Sequence, residues 1–135
     1  MTAGVQSGHG YRLEFDFQPP LLTVRVSEGS GESRLAVTRE YWERIAAERR
    51  ATGASQLLMV DAMPGDVLRD ADLVSLFEAL AGLQLEDARI AYVKQRVDQI
   101  PRIEFAELMA LERGYQIRMF GNEGEALVWL RYGGG

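Results

Sequence analysis

The chain has 135 residues, 47% of them hydrophobic, with a formal net charge of −5 and a sequence pI near 4.9. It is long enough to bury a core as one domain and too apolar for a disordered chain, while its acidity argues against a phosphate-binding surface and hence against a nucleic-acid partner. It contains no cysteine, which excludes disulfides, thiolate metal sites and thiol nucleophiles.

Residues 1–10, "MTAGVQSGHG", are small and polar and are expected to be a flexible start. "YRLEFDFQ" then alternates without a fault, with Tyr11, Leu13, Phe15 and Phe17 on one face, which predicts a strand with one wet side. Pro19-Pro20 breaks it, and "LLTVRVSEG" resumes the alternation, so the two strands are predicted to form an antiparallel hairpin. "VTREYWERIAAERRATG" reads as a helix with Thr38 as N-cap, Val37 stapled against Trp42, and Gly53 at its end. "SQLLMVDA" is a continuous apolar run of the kind found in buried parallel strands. "DADLVSLFEALAG" follows as a second helix, with Leu73, Val74, Phe77 and Leu80 on its core face.

"ARIAYV" is another buried strand. "PRIEFAELMALERG" is a third helix, with Pro101 in its first turn, Phe105, Leu108 and Met109 as its stripe and Gly114 as its cap. "YQIRMF" is the last strand, and "NEGEALVWL" closes the chain as a helix with Asn122 and Glu125 in capping-box spacing. The order is β-β-α-β-α-β-α-β-α: an α/β fold with a mixed sheet, an N-terminal hairpin and then parallel strands joined by right-handed crossovers. Residues 11–131 form one domain in this reading, and 132–135 a flexible tail. No apolar run reaches the roughly 18 residues of a membrane span and no signal-peptide core is present, so a cytoplasmic protein is expected.

Parallel crossovers put the strand C-termini on one edge, where ligands of open α/β sheets bind. That edge gathers Asp61, Asp66, Asp70 and Asp72 with Lys94 and Arg96, which are therefore the candidate partner- or ligand-binding residues. Asp70 is expected to cap the second helix and Asp72 to complement its dipole. Asp66 beside Gly65 suits a turn, whereas Asp61, ending an apolar strand, needs partners. The acids lack the regular oxygen spacing of a calcium loop, so no metal is expected. Asp61 and Lys94 imitate the phosphoacceptor and lysine of a receiver domain, but the chain lacks the acidic pair that such a site needs. His9, the single histidine, falls in the expected flexible start, and no G-x-S-x-G, P-loop or G-x-G-x-x-G occurs. No catalytic set and no cofactor are expected. Bulky Tyr11, Phe15 and Trp129, together with an open sheet edge, suggest a homodimer.

The element order, with the closing "FAELMALERGYQIRMFGNEGEALVWL" and the central "YWERIAAERRATGASQLLMVDA", resembles the bacterial SpoIIAA-like, STAS-type family over residues 11–131. The resemblance implies a non-enzymatic interaction or regulatory module with a protein partner. In anti-sigma-factor antagonists of this fold an Asp-Ser-Ser-Gly type motif carries a phosphorylated serine. The matching stretch here is Asp70-Ala71-Asp72-Leu73, and both serines are missing. The fold also resembles the Sec14 lipid-exchange core, which implies a small-molecule or lipid binder if an apolar cavity lies beneath the second and third helices. A metal-dependent enzyme using the acidic loop is the third reading.

Overall fold

The computed structural model describes residues 2–8, 10–27, 34–63, 68–94 and 100–132. Alternation in the first third of the chain becomes a three-stranded antiparallel meander, β1 (Thr2–Gly8), β2 (Tyr11–Gln18) and β3 (Leu21–Ser27). Leu13, Leu22, Val24 and Val26 are fully buried on one face, and Glu14 and Arg25 are exposed on the other. β1 corrects the expectation of a flexible start. Its composition carries no strand signal; it forms because the outer backbone groups of β2 need partners. Gly8 is required there, since a Cβ would collide with the ring of Tyr11.

β4 (Gln56–Asp61), β5 (Arg89–Val93) and β6 (Gln116–Phe120) continue from β3, all parallel, giving the order β1-β2-β3-β4-β5-β6. The connections are α1 (Arg34–Thr52), α2 (Asp70–Leu80) and α3 (Ile100–Glu112), with α4 (Glu123–Tyr132) closing the chain. Consecutive parallel steps of one hand place every crossover helix on the same face. Accordingly Tyr41, Trp42 and Ile45 of α1, Leu73, Leu76 and Leu80 of α2, and Ala106, Met109 and Ala110 of α3 share one core with Leu57, Met59 and Ile90 of the sheet. α4 follows the last strand, so it is free to cover the other face, where Ala126 and Leu130 pack on Leu58, Ala91 and Val93. β4 and β5 are thus buried on both sides, which is why they read as continuous apolar runs.

Three local expectations change. α1 begins at Arg34, so Thr38 is a buried residue inside the helix and not its cap. On α3 the buried stripe is Ala106, Met109 and Ala110, while Phe105 and Leu108 are 41% and 54% exposed. Tyr11 and Phe15, two of the three bulky residues behind the homodimer expectation, are core residues, while Trp129 is half-buried under Arg89. The glycine ends hold: Gly53 has φ +71 and its N–H bonds the Arg49 carbonyl at 2.8 Å, and Gly114 has φ +90. The Asn122 side chain accepts from the Glu125 N–H at 2.9 Å, as a cap should. Among the described residues no helix is long and apolar enough to cross a membrane.

α4 is tied to the meander by Arg25, whose two guanidinium nitrogens meet the Glu123 carboxylate at 2.6 and 2.9 Å. That hydrogen bonding holds the Glu123 pKa below its ordinary value of 4.5. A depressed carboxyl pKa stabilises the fold above the unfolded value, and the gain is lost as pH falls through the folded one. Both side chains are more than a third exposed, so the effect is that of a surface pair, about 0.2–1 kcal/mol. Arg25→Gln is expected to lower stability by that amount at pH 7. Urea denaturation should show the gap between parent and variant closing on acidification through the carboxylate range.

Candidate functional site

Val60 of β4 lies opposite Val93 of β5, so the next residue of each strand, Asp61 and Lys94, emerges side by side at the C-terminal edge. Their side chains are 5% and 3% exposed, and Lys94 Nζ stands 3.3 Å from Asp61 Oδ2. Tyr92, two residues before Lys94 and on the same face, donates its hydroxyl hydrogen bond to the same oxygen. Asp61 Oδ1 accepts the Met63 N–H at 2.9 Å, and Lys94 Nζ donates to the Met63 carbonyl at 3.2 Å. The carboxylate therefore takes three donors, which is what a buried charge requires. This answers why an aspartate ends an apolar strand: it closes a polar knot that fixes the first residues of the loop beyond.

Sequence reasoning paired Asp61 with Lys94 but missed Tyr92. The available signal was its spacing of two from Lys94, which puts both on one face of a strand. Trp42 of α1 stacks on Tyr92, with ring centroids 6.4 Å apart and planes at 17°. On the far side, Phe77 of α2 meets Tyr115 at 5.7 Å. α2 packs principally on α1, and between it and the sheet lies a partly enclosed apolar cavity of about 100 Å³. Leu76, Leu80, Leu85 and Ile90 line it together with Ile103 of α3 and Met119 of β6, and Thr38, Tyr41, Tyr115, Asp61, Tyr92 and Lys94 bring polar groups to it.

The other acids lie elsewhere. Asp70 and Asp72 are exposed in the first turn of α2, and the N-cap is Arg69, with no side-chain hydrogen bond to the helix. Asp70 is thus one residue too late to cap, and its role is the weaker one of complementing the helix dipole. It lines a separate open groove of about 470 Å³ between the starts of α2 and α3, with Leu68, Arg69, Pro101, Arg102 and Phe105. Asp66 and Arg96 lie outside the described residues, as does His9. Among the described residues no group of three or more His, Cys, Asp or Glu could hold a metal ion. The Asp61–Lys94 arrangement of a receiver is present in outline, but its carboxylate is already saturated and buried.

No protein-family model matches the chain, and no curated protein proves similar to it.

Removing one partner of a buried pair leaves an uncompensated charge, at a cost of about 3–5 kcal/mol. Lys94→Met is expected to destabilise by that order, and Asp61→Asn with Lys94→Met together by clearly less; equilibrium urea unfolding of the parent and these two variants reads this. Asp70→Ala is expected to cost about 0.3–1 kcal/mol, the dipole value and not the larger cap value, as measured by thermal unfolding at low salt.

Proposed function

We propose that the chain is a non-enzymatic interaction module of STAS type that docks a protein partner in the groove between α2 and α3. The observation that carries the reading is the groove's make-up: an apolar floor of Leu68, Leu73, Pro101 and Phe105, with Arg69, Asp70 and Arg102 around it. An apolar centre with a polar rim is the anatomy of a protein–protein interface. The groove lies at the C-terminal sheet edge, and its α2 side is the stretch that matches the switch motif of the resembled antagonists. Asp72 stands there in place of a phosphorylatable serine, so the module presents a fixed negative charge and binds constitutively. Its seat is the cytoplasm, in keeping with a cysteine-free chain.

Lipid exchange is the weaker reading. Ligand pockets ordinarily measure about 300–1,000 Å³, and the cavity beneath α2 holds about 100 Å³. An acyl chain and headgroup do not fit that volume.

Affinity capture at low and high salt tests the proposal, using the parent, Asp72→Ser and Phe105→Glu. A groove partner should be retained by the parent, lost with Phe105→Glu, and weakened with Asp72→Ser chiefly at low salt. Identical retention by all three proteins would reject the groove as the docking site.

A further inference from the structure

α3 is apolar on two sides. Its inner face gives Ala106, Met109 and Ala110 to the core, and a helix that met only water on its outside would be polar there. Instead Phe105, Leu108 and Leu111 are 41%, 54% and 48% exposed. At the helical period these three share one face with Glu104 and Glu112, opposite the buried residues. Phe105 also belongs to the groove beside α2, so groove and face form one continuous apolar surface. From Pro101 to Glu112 it runs about 16 Å, or three helical turns. An apolar surface of that extent with a charged rim is the mark of a docking face.

The charges select what covers it. Glu104 and Glu112 are both exposed, and each lies four residues from Leu108. A second copy packed antiparallel about Leu108 would set Glu104 of one copy against Glu112 of the other, and a parallel one would set each against itself. At the groove end Arg69 and Arg102 are offset by Asp70 and Asp72, so the surface as a whole stays acidic. We propose that the segment docked here is a basic amphipathic helix, laid lengthwise on α3 with apolar anchors at i, i+3, i+4 and i+7 and Lys or Arg on either side. This rests on the α2–α3 groove being a protein-docking site, and it gives the partner its form. The apolar anchors meet Phe105, Leu108 and Leu111, and the cations meet Glu104 and Glu112.

Three synthetic helical peptides, each about four turns long, test this against the parent protein. One has a leucine stripe at that spacing with lysines elsewhere, one has glutamates in place of the lysines, and one is the first shuffled so that no face is apolar. The lysine peptide is expected to bind saturably by fluorescence anisotropy and to shift the methyls of Leu108 and Leu111 in NMR spectra; the other two should do neither. Glu104→Gln with Glu112→Gln should weaken the lysine peptide about five-fold, the effect of two exposed ion pairs. Leu108→Gln and Leu111→Gln should each weaken it about ten-fold. All four positions are exposed, so folding is not at stake. Lack of saturable binding, shifts away from α3, equal binding of the glutamate or shuffled peptide, or unchanged affinity in either set of variants would each overturn the proposal. Binding lost with Phe105→Glu but kept by Leu108→Gln and Leu111→Gln would overturn it while leaving the groove reading in place. Equal affinity capture by the parent and Asp72→Ser, with peptide binding at Leu108 intact, would strike the groove reading alone.

Discussion

Strand order constrains everything else in this molecule. Because β3, β4, β5 and β6 follow one another in space as in sequence, each crossover helix must return over the same face of the sheet. α1 and α3 settle against strands at the two sides, and α2 rides principally on α1. The rigid pairs Trp42–Tyr92 and Phe77–Tyr115 stand between helices and sheet, and rings cannot interpenetrate to close what remains. The cavity is therefore a product of topology and of four aromatic side chains. The same crowding of three helix starts at one edge creates the open groove beside α3.

The sheet was legible from the chain wherever one physical rule dominated. Strict alternation located β2 and β3, and unbroken apolar runs located β4 and β5, because burial on one face or two dictates those patterns. β1 was invisible, since its strand is imposed by the unsatisfied edge of β2 and not by its own glycines and serines. The stripe of α3 was misread for a related reason: helical spacing cannot tell Phe105 and Leu108 from Ala106 and Ala110, and the close approach of α3 to β6 selects the small pair.

The candidate site divided along similar lines. Asp61 and Lys94 could be paired from sequence because parallel strands in register bring their ends together. The acids of α2 could not be sorted so easily, since a shift of one residue at a helix start separates a capping side chain from one that merely feels the dipole. What looked like one acidic cluster is two unlike environments: a saturated, buried carboxylate below the helices and exposed carboxylates on their outer rim.

The placement of the two tryptophans has an optical consequence. Trp42 is 7% exposed and stacked on Tyr92 at the cavity, whereas Trp129 lies half-buried on the α4 face beneath Arg89. The indoles thus sit in separate layers, one in an apolar setting beside the Asp61–Lys94 knot and one against a guanidinium at the surface. Their emission and quenching should differ for that reason, and a single-tryptophan version of the chain would turn either layer into its own fluorophore, with no dye attached.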